Sequence, residues 1–191
     1  MTYSFGGLLA FPTLAIAFLG VGSTSALAQH FTDRDTLAPY YPTPQLVVEQ
    51  MLSIAQVRPG EMVYDLGCGD GRILISAVRT YHCRAVGVEL SRDIYERTCL
   101  RIQSLGLTDR ISIVHGNALH TDLTPADVVT LYLMTSTNER LKPLMEHDLK
   151  PGSRVVSHDY EIHGWKTSKV EEIQVDGRPH KIFLYVMKSS H

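Results

Sequence analysis

Two acidic residues and three glycines carry the chemistry most readily read from this sequence. Asp65-Leu66-Gly67-Cys68-Gly69-Asp70-Gly71 leaves a short apolar run and opens an amphipathic one, as where a strand turns into a helix. Glycines there let the backbone turn tightly and approach a ligand, because a Cβ at those points would collide with it. Glu89 closes the next apolar run, 22 residues after Gly67. A carboxylate at a second strand's tip can accept both hydroxyls of a ribose. The plainer alternative is a glycine-rich strand–helix turn with a surface Glu beside it.

The charges near the turn discriminate between nucleotides. A dinucleotide places its pyrophosphate at the helix N-terminus, where anions are welcome only if nothing repels them. Asp65 and Asp70 would oppose a diphosphate, but they would welcome a cation. S-adenosylmethionine is such a ligand, with a sulfonium, an α-ammonium, an adenosine and no phosphate. On this reading Asp65, or a carbonyl near it, takes the ammonium and Glu89 takes the ribose. His115-Gly116-Asn117-Ala118 follows the third apolar run, where an adenine edge would fall, and Asn117 could bond its exocyclic amine.

The elements that must position these residues alternate between two periodicities. Strands are expected at Met62–Leu66, Arg84–Glu89, Ile111–His115, Asp127–Leu133 and from Arg154 to Ser157, with helices over Gln45–Val57, residues 72–82, Asp93–Leu105 and Asn138–Leu149. Asp127–Leu133 is apolar enough to be a central parallel strand buried on both faces. After Trp165 the pattern changes: Lys169–Val175 and His180–Met187 read as two strands around Asp176-Gly177-Arg178, a hairpin signal. The expected fold is α/β: a doubly wound, mostly parallel seven-stranded sheet with a C-terminal antiparallel hairpin.

Composition limits the remaining possibilities. The 191 residues suit one domain, and 44% hydrophobic with 20% charged residues fits a folded globular chain. Lys and Arg number 18 against 20 Asp and Glu, a net charge of −2, which lacks the basic excess of a nucleic-acid binder. Cys68, Cys83 and Cys99 form no CxxC pair, which excludes a disulfide scaffold and a cysteine-rich zinc site. Nine histidines include His115, His120, His147, His158 and His163, but no metal-ligand spacing joins them, so no metal is expected.

From Met1 to Gln29 there is no charged residue and no histidine. Leu8–Gly22 is apolar, and Ala26-Leu27-Ala28 resembles the cleavage site of a secretory signal. The segment lacks the basic n-region of a signal, and its length marginally suits an uncleaved membrane anchor. A start codon placed too far upstream is a third reading. Residues 1–28 are therefore expected outside the fold, with residues 29–191 forming the one folded domain. Cleavage implies export, away from the cytoplasm where S-adenosylmethionine is made; a retained anchor implies a domain facing the cytoplasm or matrix.

The turn DLGCGDGR, Glu89 and Asn117 resemble class I S-adenosylmethionine-dependent methyltransferases. A closer resemblance covers about Tyr40 to about Met187 and spreads over Tyr41-Pro42-Thr43-Pro44, VYDLGCGDGRI, AVGVEL and TLYLMTSTNERLKPLMEHDLKPGSRVVSHDYEIHGW. It is to the archaeal broad-specificity protein-lysine methyltransferase family, which includes mitochondrial enzymes acting on ATP synthase c-subunits and the adenine nucleotide translocase. The resemblance implies that Tyr41 and Thr43 lie over the cofactor, with Gly67, Gly69, Gly71 and Ala118 also at its site. It implies that Leu131–Thr135 and Ser157–Tyr160 line the transfer site. It further implies a protein substrate with an accessible lysine, a membrane protein being one candidate by analogy with the mitochondrial members.

Val129–Leu133 reads VTLYL, without the Asn/Asp-Pro-Pro-Tyr motif that holds planar amides or base amino groups for methylation. A lysine amine needs no such clamp once neutral, but at a pKa of ~10.4 it must first lose a proton. Tyr132, His158 and Asp159 are the candidates to orient the amine and manage that proton. Each has a plainer reading: a core tyrosine, a structural histidine and a turn cap. Two other functions remain open at this level, a small-molecule or lipid methyltransferase and a non-catalytic S-adenosylmethionine-binding module.

Overall fold

A computed structural model describes Met1 and residues 41–188. The expected apolar segment and cleavage site within residues 1–28 lie outside the described residues. Seven strands form one sheet: β1 Met62–Leu66, β2 Arg84–Glu89, β3 Ile111–His115, β4 Val128–Leu131, β5 Arg154–His158, β6 Lys169–Val175 and β7 Arg178–Val186. Among the described residues four α-helices accompany them: α1 Gln45–Ile54, α2 Arg72–Tyr81, α3 Arg92–Ser104 and α4 Thr135–Asp148. The order across the sheet is β3-β2-β1-β4-β5-β7-β6. The first five strands run parallel, and β7 enters antiparallel to β5 with β6 outside it. This is the doubly wound architecture the periodicities predict. No helix among the described residues is long and apolar enough to cross a membrane.

Side-chain alternation along the strands divides the core between the two faces. Val63, Ala85, Val128, Val156, Ile182 and Leu184 join a cluster with α1 and α2. Tyr64, Leu66, Val129, Leu131, Val155 and Phe183 join another with Leu141 and Met145 of α4. The β6–β7 hairpin turns through Asp176 and Gly177, both at positive φ (51° and 73°), with Val175 paired to Arg178. That is the two-residue turn whose twist matches the flanking strands.

α1 ends three residues before the expected Val57 and β7 begins two before His180, while the boundaries of β4 and α4 differ from the sequence pattern for identifiable reasons. β4 is shorter than expected at both ends. Asp127 turns its carboxylate to the Met62 N–H (2.8 Å) and to Lys150 (2.7 Å), while Tyr132 and Leu133 leave the sheet beyond its C-terminal edge. α4 begins at Thr135, three residues earlier than the expected Asn138. Asn138 is buried within the first turns and donates from its side chain to the Tyr160 carbonyl (3.2 Å), so a tertiary contact holds it there rather than a capping role.

Gly87, in the middle of β2, is required by packing. A Cβ there would lie 2.6 Å from both Cys68 Sγ and Leu74 Cδ1, closer than van der Waals contact allows. Cys68 is thus the small filler between the glycine turn and the sheet. Gly87→Ala is expected to destabilise the fold by about 1–3 kcal/mol in urea unfolding, with partial recovery in a Cys68→Ala background. An unchanged midpoint would contradict this packing account.

Candidate active site

The strand order reverses between β1 and β4, and open α/β sheets bind ligands beyond the carboxyl ends of their strands at such a point. Asp65, Glu89, Thr130 and His158 share the strand parity of Val63, Ala85, Val128 and Val156. All four therefore lie on the α1–α2 side, at the C-terminal edge of β1, β2, β4 and β5.

Within this edge, between Glu89 and Thr130, stands Asp65. Its side chain is buried, and Oδ1 accepts from the Thr130 hydroxyl at 2.8 Å, its partner in the β1–β4 register. Burial raises the carboxyl to about 7; the Thr130 bond opposes the shift, and the Glu89 and Asp70 charges add to it. The turn that follows needs three left-handed residues, with φ of 82° at Gly67, 53° at Gly69 and 74° at Gly71. A Cβ on Gly67 would also press on Leu133 at 3.1 Å. Glu89 Oε2 accepts from the Gly69 N–H (3.0 Å) and Oε1 from the Ser91 N–H (2.8 Å). Glu89 therefore ties β2 to the turn, and the second lone pair on each oxygen can still receive a hydroxyl.

Asp70 behaves otherwise than the charge reading expects. It pairs with Arg72 at 2.8 Å and with Arg101 at 2.7 Å. Although burial raises its pKa, the bonds and charge of these arginines hold it below the ordinary value. Asp70 is thus neutralised locally, and the preference for a cationic ligand over a pyrophosphate rests on Asp65 and Glu89.

Four expected cofactor contacts also have partners within the chain. Asn117 Oδ1 accepts from the Leu119 N–H at 2.9 Å, capping a short 3-10 helix over Ala118–His120. The oxygen expected to meet an adenine amine is already engaged there by one lone pair. Ala118 turns its side chain into the core, which leaves only its backbone to meet a ligand. Thr43 is buried with Oγ1 3.5 Å from His158 Nδ1, and its carbonyl accepts from Arg72 Nη1 at 2.8 Å. Its side chain thus points to the far end of the edge. Tyr41 remains exposed, its hydroxyl 3.3 Å from Arg178 Nη1.

That far end is built on β4, β5 and β7. Leu131 pairs with Ser157, so the next residues, Tyr132 and His158, lie side by side. Their rings stack with centroids 3.9 Å apart, and Tyr160 continues the row 6.1 Å from Tyr132. Burial raises the Tyr132 hydroxyl, as do the nearby Asp159, Tyr160 and Tyr41, while Arg178 lowers it. His158 is fully buried, and burial pushes its imidazole down to about 4; Asp159 acts against that shift and His180 with it.

The antiparallel return of β7 supplies a residue the sequence reading missed. His158 pairs with Ile182 in register, and His180, two residues earlier in β7, brings Nδ1 to 2.9 Å from His158 Nε2. Asp159 lies just beyond β5 in the left-handed conformation (φ 59°), and its Oδ2 is 3.3 Å and 3.4 Å from the same two nitrogens. Chain spacing hides this group, because 22 residues separate the histidines; only the strand pairing joins them.

A buried carboxylate facing a glycine turn, a second carboxylate at the ribose position and an aromatic row beyond them suit a cationic adenosyl ligand. The comparisons agree. A family model described as the ANTKMT methyltransferase domain matches residues 65–169, more than half of the chain. A protein-lysine N-methyltransferase of Saccharolobus islandicus is 47% identical over 150 residues, covering 78% of this chain and 93% of that protein. The mouse adenine nucleotide translocase lysine N-methyltransferase is 30% identical over 67% of this chain, which spans only 56% of that longer protein. Among solved structures, an RNA methyltransferase from Salinibacter ruber in complex with S-adenosyl-L-homocysteine superposes with a TM-score of 0.73 at 34% identity, over 79% of this chain and 96% of that one. Such coverage at such identity extends well past a shared nucleotide fold: this chain belongs to the ANTKMT methyltransferase family and is an S-adenosylmethionine-dependent methyltransferase.

Proposed function

We propose that this enzyme transfers a methyl group from S-adenosylmethionine to the ε-amino group of lysine in protein substrates. The observation that carries this reading is the 47% identity to a protein-lysine N-methyltransferase across 93% of that relative's length. The composition agrees, since 18 basic against 20 acidic residues offer no phosphate-binding excess for an RNA substrate.

S-adenosylmethionine, when bound, supplies a methyl group on a positively charged sulfur, open to in-line attack. The chain's part is to hold two partners in line and to manage charge. Asp65 would hold the α-ammonium and Glu89 the ribose hydroxyls. Asn117 and the backbone of Ala118 would meet the adenine. Gly67, Gly69 and Gly71 allow the backbone to approach, and the exposed Tyr41 would close over the ligand, its segment anchored by Thr43 through Arg72 and His158. The raised Tyr132 phenol keeps its proton through the neutral range and offers a lone pair to an amine N–H. His158, fully buried and neutral at any pH well above 4, stacks on Tyr132 and sets the position of that ring without adding a charge. Desolvation in this row of rings, together with a cation nearby, lowers the lysine pKa. Asp159, at the solvent side of His158, gives the departing proton a hydrogen-bonded way out.

The apolar, uncharged residues 1–28 support a membrane setting with the catalytic domain on the side where S-adenosylmethionine is made. Protein lysines near a membrane surface would then be within reach. Recovery of the full-length chain entirely in the soluble fraction would contradict that setting.

Because Asp65 titrates near 7 and a bound cation favours its ionised form, binding takes up the deprotonated carboxylate. Affinity for S-adenosylhomocysteine should therefore rise roughly five- to tenfold from pH 6 to 7.5, with proton release. Calorimetry in buffers of different ionisation enthalpy should show this in the parent and a flat profile in Asp65→Asn. A pH-independent parent would remove Asp65 from the ammonium role.

With labelled S-adenosylmethionine and a membrane-plus-soluble extract, label should appear in acid-stable protein and be recovered as methyl-lysine, and Glu89→Ala should abolish it. Tyr132→Phe should lower kcat about 100-fold or more with little change in cofactor affinity. Label confined to lipid or small molecules would overturn the lysine assignment. Cofactor binding without transfer anywhere would favour a binding module.

A further inference from the structure

The His158–Asp159–His180 group is more tightly assembled than proton handling requires. Two buried imidazoles face each other directly, His158 Nε2 to His180 Nδ1 at 2.9 Å. Asp159 Oδ2 lies 3.3 Å and 3.4 Å from those nitrogens, which closes a nearly equilateral triangle of three donor atoms. Metal–donor bonds of about 2.0–2.2 Å set at tetrahedral or octahedral angles place neighbouring ligand atoms about 2.9–3.5 Å apart. All three edges of the triangle fall in that range.

The surroundings orient the donors as ligands. The Asp159 N–H donates to the Lys181 carbonyl at 2.7 Å, and Oδ1 accepts from the Lys181 N–H at 2.8 Å. The β5–β7 pairing thereby fixes the carboxylate and leaves Oδ2 directed at the imidazoles. The left-handed backbone at Asp159 (φ 59°) is what folds the side chain back over them. The other nitrogen of His158, Nδ1, faces Thr43 Oγ1 at 3.5 Å. A proton on Nδ1 bonded to that oxygen leaves the Nε2 lone pair facing the triangle, as the outer-shell partners of metal-binding histidines do. Asp159, with 30% of its side chain exposed, gives an approach from solvent.

We propose that His158 Nε2, His180 Nδ1 and Asp159 Oδ2 form a binding site for a divalent first-row transition ion. Two nitrogens and one carboxylate oxygen suit Zn²⁺, Co²⁺, Ni²⁺ or Fe²⁺ over Mg²⁺ or Ca²⁺, which prefer oxygen-only shells. Three protein ligands on one face leave coordination positions open towards Asp159's solvent side. A further consequence rests on the reading of His158 and Asp159 as part of the transfer site. An ion held there places positive charge against the Tyr132 ring and takes up the Asp159 oxygen offered to the departing proton, so metal occupancy lowers methyl transfer.

The test uses the full-length chain, stripped with chelator and titrated with Co²⁺ while its visible absorption is followed, with Zn²⁺ binding measured by equilibrium dialysis. One equivalent should bind, giving the d–d bands of a four- or five-coordinate nitrogen–oxygen site, and excess Mg²⁺ should not displace it. His180→Gln and Asp159→Asn should each weaken Co²⁺ binding by about tenfold or more while S-adenosylhomocysteine affinity stays within roughly threefold of the parent, which reports an intact fold. If His180→Gln fails to fold, Asp159→Asn carries the comparison. Substoichiometric binding in the parent, or binding unchanged by both substitutions, would overturn the site. A metal spectrum without inhibition of methyl transfer would uphold the site and count against His158 and Asp159 acting in transfer.

Discussion

A carboxylate buried at the end of a central strand is costly unless something balances it. Asp65 is nine-tenths or more removed from water, and among the described residues one hydroxyl, that of Thr130, bonds it. Its pKa near 7 expresses the strain: without a cation beside it the group is close to giving up its charge. A ligand with a fixed positive charge relieves that strain, which a neutral or phosphorylated nucleotide cannot do. Much of the surrounding architecture serves to leave this carboxylate open towards one side. The three left-handed glycines remove side chains from above it, Glu89 ties the turn to β2, and Thr98 on α3 donates to the Gly69 carbonyl at 2.6 Å.

The second half of the site depends on a different constraint, the reversal of chain direction at β7. Parallel strands bring the carboxyl ends of β1, β2, β4 and β5 to one edge, which accounts for Asp65, Glu89, Tyr132 and His158. A parallel strand next to β5 would have added another carboxyl end. The antiparallel β7 instead presents its N-terminal part there, and so His180 meets His158. Aromatic rings edged by Asp159 form this second half. The site thus joins a buried carboxylate suited to a cation with a row of rings suited to an amine that must lose its proton.

The sequence carried the fold in its periodicities. All seven strands, four helices and the Asp176-Gly177 turn are visible as alternation, helical spacing and turn chemistry, because each is decided within a few residues. The glycine turn and Glu89 are legible for the same reason, a fixed spacing along one β–α–β unit. What sequence could not show depends on partners far along the chain. Arg101 cancels the charge of Asp70 from another helix, and Thr43 points to His158 across 115 residues. Asn117 spends an oxygen lone pair on its own 3-10 helix, a local signal that was open to reading as an Asx cap. His180 carries no motif of its own; only the β5–β7 register gives it a role.

The most direct test of the central claim is a double-mutant cycle between the protein and its ligand. S-adenosylhomocysteine and its analogue lacking the α-amino group would be bound to the parent and to Asp65→Asn at pH 7.5. If the buried carboxylate exists to hold that ammonium, removing either partner costs affinity and removing both costs little more, a coupling of about 1.5–3 kcal/mol, roughly tenfold or greater in Kd. Additive losses, with no coupling between Asp65 and the amino group, would show that the cation lies elsewhere and contradict the account.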